Sequence, residues 1–140
     1  MLKNIFINCL LLVTTLSFSQ IEKEIAAPYN IKTISFVQNG QNAIPVFRLG
    51  DSFSFQFDDL YGNEANYFYA LTHCDYDWKP SQLAEAEYLN GFDEQRIQDY
   101  VNSLNALQIY SHYRVPFPNR LTQFRKSGNY MTYYSKPRYN

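Results

Sequence analysis

The side chains best suited to hold a metal ion or attack a substrate lie in one short segment, at His73, Cys74, Asp75 and Asp77. Adjacent residues of a strand point to opposite faces, so His73 and Cys74 cannot both ligate one ion on a regular strand. His73, Asp75 and Asp77 share one parity, but the remaining histidine, His112, lies far along the chain. Polar residues in such segments also make turn and capping hydrogen bonds. We therefore expect neither a metal nor another cofactor.

A cysteine nucleophile would need Cys74 beside His73 or His112 in a partly exposed, electropositive setting. Asp75 and Asp77 surround it with negative charge instead, which disfavours the thiolate. The sequence contains no nucleophile elbow, phosphate-binding loop or dinucleotide fingerprint. These observations predict that the protein is not an enzyme.

Aromatic residues are abundant, with 11 Phe, 13 Tyr and 1 Trp among 140 residues. This content supplies one domain with a large core and excludes a disordered chain. The 12 basic and 13 acidic side chains nearly cancel, so no positive field exists to attract nucleic acid. So many tyrosines cannot all be buried with satisfied hydroxyls, which predicts an exposed aromatic surface for a protein or sugar partner.

Residues 75–99 are the predicted place of that surface, because long irregular segments are usually functional. The candidate partner-binding residues within it are Tyr76, Trp78, Tyr88 and Phe92. Two readings stay open, since such side chains either anchor a contact or lie half-buried at strand ends.

The first residues have the pattern of an export signal. Lys3 provides a positive start, residues 5–16 are largely apolar, and Ser17-Phe18-Ser19 supplies small residues at the positions that a signal peptidase requires. We expect a signal peptide at residues 1–19 and a mature domain at residues 20–140, with no segment that spans a membrane. Cleavage would leave Cys74 as the single cysteine, and we expect its thiol to be buried.

Alternation of apolar and polar residues indicates strands. Phe53, Phe55 and Phe57 alternate with polar residues, so one face is predicted to carry rings and the other, including Ser54, to meet water. Strands are also expected at residues 31–37, 44–49, 67–74, 98–104 and 109–117. A turn at Asn39-Gly40 should follow the first of them.

The later part of the chain completes the predicted fold. Residues 75–99 form an irregular insertion with a short helix near residues 80–87, and Ser127-Gly128-Asn129-Tyr130 is a turn that leads into a strand through Tyr134. The fold class is all-β, an immunoglobulin-like antiparallel β-sandwich. Tyr130 should bond back to the backbone, as a tyrosine does near the start of a late strand of that fold. The last strand of the sandwich is expected to be missing, which would leave an exposed edge prone to self-association.

Several landmarks occur in order over about residues 31–131. They are Phe47-Arg48-Leu49-Gly50-Asp51, Phe57-Asp58-Asp59-Leu60, His73-Cys74-Asp75 with Trp78, Glu87-Tyr88-Leu89-Asn90-Gly91-Phe92, His112-Tyr113-Arg114, Pro118-Asn119 and Ser127-Gly128-Asn129-Tyr130. In this the chain resembles the N-terminal domain of the plug protein of the type IX secretion system of Bacteroidetes. The resemblance implies a periplasmic protein, associated with the outer membrane, that docks on the large translocon barrel there and closes its channel. It also implies a longer architecture, of which this chain looks like a truncated form.

A different function remains open on the residues alone. An exported β-sandwich with exposed aromatic side chains is also typical of a secreted carbohydrate-binding or adhesive module.

Overall fold

The computed structural model describes residues 26–92 and 94–135, so the signal peptide predicted at residues 1–19 lies outside the described residues. The described part contains ten strands and one single-turn helix. These are β1 (Ile31–Gln38), β2 (Gln41–Ala43), β3 (Phe53–Asp59), β4 (Phe68–Cys74), α1 (Glu85–Tyr88), β5 (Leu89–Gly91), β6 (Glu94–Arg96), β7 (Asp99–Asn102), β8 (Ser111–Phe117), β9 (Thr122–Phe124) and β10 (Asn129–Ser135).

The strands form an antiparallel sandwich, which confirms the predicted all-β class. One sheet has five strands in the order β2-β1-β3-β8-β7, and the second has three in the order β10-β4-β6. Strands β5 and β9 form a separate two-stranded ribbon. β4 is the central strand of the second sheet, and its last residue, Cys74, is buried as predicted.

Aromatic rings from both sheets form the core. Phe55 and Phe57 are buried on the inner face of β3, as their alternation predicts. Phe57 stacks on Tyr113 of the neighbouring strand, with 5.2 Å between ring centroids, and on Tyr134 of the opposite sheet at 5.1 Å. Tyr69 meets Phe117 edge to face at 5.4 Å across the same interface. Period-two alternation therefore identified the β3 rings on the inner face, and their partners come from β8, β4 and β10.

Ser54 departs from the expectation that the outer face of β3 meets water. Its exposed fraction is only 3%. β3 is an interior strand, so Val37 and Pro116 lie on either side of Ser54 in the sheet. The amide of Gln56 donates to the Ser54 hydroxyl at 3.0 Å and covers it further. The prediction of an exposed serine was wrong because neighbouring strands shield a side chain this small.

The first hairpin turns where the sequence predicts it, but its second strand is displaced. Asn39 and Gly40 both have positive φ, 52° and 77°, as a two-residue hairpin loop requires. The returning strand is β2, so the strand predicted at residues 44–49 was wrong. There the amide of Val46 donates to Ile44 O at 2.6 Å instead of to a neighbouring strand.

Residues 75–99 contain more regular structure than predicted. The helix is limited to Glu85–Tyr88, where the Glu87 carboxylate accepts a hydrogen bond from the Ala84 amide at 2.8 Å. Two three-residue strands follow it. β5 pairs with β9, and β6 pairs with β4. Strands this short carry no readable alternation, so their existence depends on the partners that the fold brings to them.

Strand β10 begins with the predicted tyrosine contact. The Tyr130 hydroxyl donates to Lys126 O at 2.7 Å, which ties the start of the strand to the preceding turn. β10 pairs with β4 over its whole length. Within residues 26–92 and 94–135, no strand pairs with its other edge.

Candidate functional site

The two ends of the sandwich differ in character. β3 and β8 run in opposite directions, so Phe53 pairs with Phe117 at one end and Asp59 with Ser111 at the other. We call the first the groove end, formed by Phe53, Phe117 and the loops at residues 44–52, 75–80 and 125–128. The second is the Asp59 end.

An open groove of about 370 Å³ lies at the groove end, between the two sheets. Most of its wall is aromatic or aliphatic, and its charged members are Arg48, Asp51 and Lys126. The aromatic residues that line it are Phe36, Phe47, Phe53, Trp78, Phe117, Phe124 and Tyr130. A concave apolar surface with a few charges at its margin is the usual form of a binding site.

Ring contacts fix the walls of this groove. Phe47 stacks on Phe53 at 3.9 Å with an interplanar angle of 5°, which holds the loop of residues 44–52 against the sheet. Phe124 packs against Phe53 at 6.0 Å and edge to face against Tyr130 at 4.9 Å. Because the rings support one another, the groove exists before any partner binds.

A tight turn positions Arg48 and Asp51 at the margin of the groove. The Asp51 carboxylate accepts hydrogen bonds from the Arg48 amide at 3.0 Å and from the Gln38 side chain at 3.4 Å. The Asp51 amide donates back to Arg48 O at 3.0 Å. Gly50 has a φ of 96°, which side chains rarely tolerate, and so allows this reversal. Phe47 and Arg48 are thereby placed beside the groove.

A second turn presents Trp78. The Trp78 amide donates to Asp75 O at 3.0 Å, and the Asp75 amide donates to Lys79 O at 2.9 Å. Trp78 itself has a φ of 61°, so the turn places a bulky residue in the left-handed region. Asp77 pairs with Lys79 at 2.8 Å, and that hydrogen bond lowers the pKa of the Asp77 carboxyl. These contacts between residues of the turn hold it in place.

The four predicted partner-binding residues occupy different environments. Trp78 lines the groove and is 41% exposed, while Tyr76 in the same turn is 93% exposed. Phe92 is 66% exposed and lies beside Leu121, whose carbonyl accepts the Phe92 amide at 3.1 Å. Tyr88 is buried, and its ring packs against the His73 ring with 5.6 Å between centroids, so it contributes to the packing beneath the exposed residues. Partner binding by these four residues stays a prediction.

Exposed aliphatic residues at this end were not singled out from the sequence. Ile44, Val46 and Leu49 are largely exposed in the loop that carries Phe47. From the sequence alone, these apolar residues are predicted to lie in a strand. Because the segment is a loop and pairs with no neighbouring strand in the described part, their side chains lie at the surface. Pro45 within this segment was the one indication against a strand, because proline cannot donate a hydrogen bond to a neighbouring strand.

The histidines considered for metal binding have structural partners. His73 Nδ1 is 2.9 Å from Ser81 Oγ, and the imidazole packs edge to face on Tyr130 at 5.1 Å. His112 Nδ1 is 2.7 Å from Asp58 Oδ1, towards the Asp59 end. Across residues 26–92 and 94–135, no three His, Cys, Asp or Glu side chains come together as a metal site.

A buried polar cluster anchors the opposite end. Asp59 is fully buried and accepts hydrogen bonds from the Asn30 amide at 2.7 Å, the Tyr67 hydroxyl at 2.9 Å and the Tyr61 backbone at 3.1 Å. Burial, followed by the hydrogen bond to Asp59, raises the pKa of Tyr67. These three hydrogen bonds converge on one carboxylate inside the fold, and the bond from Asn30 ties the segment before β1 to the end of β3.

Comparisons with known proteins place the chain in a family. Residues 31–138 match the family model described as the first domain of the type 9 secretion system plug protein. A crystal structure of a hypothetical protein from Parabacteroides merdae is similar, with a TM-score of 0.73 and 36% sequence identity over 78% of this chain. The chain spans 28% of the length of that protein. No protein with a curated description matches. In the described part, no helix is long and apolar enough to cross a membrane.

Proposed function

The chain belongs to the family of type 9 secretion system plug proteins, and on that premise we propose that it docks on the secretion channel of the outer membrane and closes it from the periplasmic side. The partner is a large translocon barrel protein. The observation that carries the proposal is the preformed aromatic groove at the groove end, because it gives this domain a surface suited to a protein partner.

The composition of the groove end supports a protein contact. Fully buried aromatic anchors contribute most of the binding energy at protein interfaces, and aliphatic side chains around them exclude water. Trp78 is 41% exposed, and we infer that a partner would bury it as such an anchor. Ile44, Val46 and Leu49 are apolar residues in a loop of the same end that association would remove from water. A rigid sandwich loses little conformational entropy when it binds, which suits a part that must seal an opening.

A non-enzymatic role fits both the family and the residues. The family is one of secretion components. The Cys74 thiol is buried, with Sγ 3.6 Å from Thr72 O, and so is poorly placed to attack a substrate. His73 and His112 are engaged by Ser81 and Asp58.

Export to the periplasm is part of the proposal. The signal pattern of residues 1–19 supports it, with cleavage before Gln20. Mass spectrometry of the periplasmic protein should find Gln20 at the N-terminus. Recovery of intact Met1 in that fraction would contradict export by this route.

The docking step is tested by affinity purification of the tagged full chain from outer-membrane extracts. We expect a very large barrel protein, identified by mass spectrometry, to be retained by the natural chain and lost with Trp78→Ala combined with Leu49→Ala. Leu104→Ala is the matched control, since Leu104 is an exposed leucine outside the groove lining. Equal retention by all three chains, or loss only with Leu104→Ala, would overturn docking by the groove end.

The closing step needs a separate measurement. Cells that lack the gene should admit a hydrophilic fluorescent polymer too large for ordinary porins, and the natural gene should restore exclusion. Unchanged permeability would contradict channel closure. Retention of the protein on polysaccharide columns without capture of a barrel protein would favour the carbohydrate-binding or adhesive function instead.

A further inference from the structure

The two sheets of the sandwich have unequal widths. Tyr134 of β10 stacks on Phe57 of β3, and Tyr69 of β4 meets Phe117 of β8. β10 therefore lies opposite β3, and β4 lies opposite β8. Since β10 is the first strand of its sheet, no strand of that sheet in the described part lies opposite β1 and β2. Beside β10, the described residues thus place no strand of the second sheet over β1 and β2, and the loop that carries Phe47 is what packs there.

The edge of β10 that borders this place carries backbone hydrogen-bonding groups. β10 is antiparallel to β4, with Thr132 opposite Leu71 and Tyr134 opposite Tyr69. In such a pair, alternate residues direct their N–H and C=O groups away from the neighbour. Residues 129–135 thus present donors and acceptors at the spacing of a strand. An edge of this kind is a template for one further strand.

The aromatic groove continues from the edge of β10 to the opposite sheet. Tyr130 and Thr132, from β10, line one side, and Phe36 and Phe47 line the side below β1. We call these four residues and the space between them the β10 slot. A strand added beside β10 would direct every second side chain towards Phe36 and Phe47.

The charges near the slot indicate which sequence it favours. Arg48 and Lys126 both line the groove, and neither forms an ion pair in the described part of the chain. Asp51, the acidic member of the lining, is held by the Arg48 amide and the Gln38 side chain. A carboxylate on the bound segment would complement the two cations at this end.

We propose that the β10 slot binds an extended segment of a separate polypeptide. The segment pairs with β10, places alternate apolar side chains in the groove, and carries an acidic residue where it passes Arg48 and Lys126. This mode of binding is β-augmentation, in which main-chain hydrogen bonds give affinity and pockets give specificity. It does not depend on the proposed secretion role, because the slot would accept such a strand in any setting.

A second copy of the sandwich fits the slot poorly. Two copies paired antiparallel through β10 would place their five-stranded sheets on the same side of the joint sheet. β1 and β2 of each copy, which extend past β10, would then meet in the space that the added strand needs. A single strand without a second layer avoids this collision. The sequence-based expectation of self-association through this edge is therefore less favourable than capture of a peptide.

The test is selection of peptides from a random 12-residue library displayed on phage, with the full chain as bait. We expect enriched peptides with apolar residues at alternate positions and an acidic residue near one end. Binding of the corresponding synthetic peptide should slow amide hydrogen exchange in residues 129–135. No enrichment, or protection of another segment without protection of β10, would overturn the proposal, as would a shift from monomer to dimer on binding.

Two variants test whether the selected peptide binds in the β10 slot. Leu49→Lys places a charge in the groove lining and should weaken binding of the selected peptide at least tenfold in a fluorescence anisotropy titration. Lys126→Glu should weaken it by a similar factor at low salt and by less at high salt. Leu104→Lys, far from the groove, should bind normally. Unchanged affinity in both groove variants, with circular dichroism like that of the natural chain, would exclude the β10 slot as the site.

Discussion

The Tyr130 hydroxyl donates a hydrogen bond to Lys126 O at 2.7 Å, and this contact joins the start of β10 to the turn that forms one wall of the groove. The same hydroxyl lies 3.3 Å from Tyr88 O. One side chain therefore fixes the edge strand, the groove wall and the end of helix α1 relative to one another.

Tyr130→Phe removes that hydroxyl and keeps the ring. We expect a loss of about 1 kcal/mol in the free energy of unfolding, the typical net value of one hydrogen bond. Tyr133→Phe is the matched control, because within the described residues the Tyr133 hydroxyl on the same strand contacts just the Met131 sulfur, in an exposed position. Urea unfolding of the two variants measures the difference. An equal effect of both changes would contradict a special role for Tyr130.

The inner face of β3 should carry much of the stability. Phe55→Ala removes a buried ring that contacts Phe36 at 5.5 Å and Phe57 at 5.7 Å, and should cost about 3 to 5 kcal/mol. Phe92→Ala removes a ring of the same size that is mostly exposed, so its cost should stay below about 1 kcal/mol. Thermal unfolding followed by circular dichroism compares them. Similar midpoints would show that the core is misassigned.

The buried carboxylate at the Asp59 end gives a third prediction. Asp59→Ala leaves the Asn30 amide and the Tyr67 hydroxyl without their buried acceptor, which should cost roughly 3 kcal/mol or more. Asp58→Ala, at the preceding residue, removes a partly exposed contact to His112 and should cost at most about 1 kcal/mol. Chemical denaturation distinguishes the two, and an Asp58 effect as large as the Asp59 effect would refute the assignment.

Alkaline pH should destabilise the fold. Burial raises the pKa of Tyr113 and of Tyr130 from the ordinary value of 10.0 to about 12. Below pH 10 both the folded and the unfolded chain keep these phenols neutral. Between pH 10 and 12 the unfolded chain ionises first, so it binds fewer protons and the free energy of unfolding falls. Denaturation midpoints measured across this interval should decline with pH, and a constant midpoint up to pH 12 would contradict the burial of these hydroxyls.

The sequence predicted the parts of the fold that depend on local alternation. The rings at Phe55 and Phe57, the Asn39-Gly40 turn and the backbone contact of Tyr130 were all anticipated, because each follows from spacing or turn chemistry over a few residues. The β5–β9 ribbon was not, because three-residue strands are specified by distant partners. Ser54 was misjudged for the same reason, since its burial comes from neighbouring strands and from Gln56.

The candidate site was only partly predictable. Trp78 was singled out with Tyr76, Tyr88 and Phe92 as an aromatic residue in an irregular segment, and it does line the groove. Phe36, Phe47 and Phe124 were not singled out, because they come from separate elements that meet only in the fold. Tyr88 illustrates the converse, since its ring is drawn into the core by His73 and Tyr130 although its segment looked like a surface loop.

The central claim, that the groove end docks on the secretion channel, is tested most directly by site-specific photo-crosslinking in cells that possess the secretion system. A photo-reactive phenylalanine analogue would replace Trp78 in one full-length chain and Leu104, outside the groove lining, in another. We predict an adduct with a very large outer-membrane barrel protein from position 78 and none from position 104. An adduct from position 104 alone, equal adducts from both positions, or no barrel adduct from position 78 would contradict the claim.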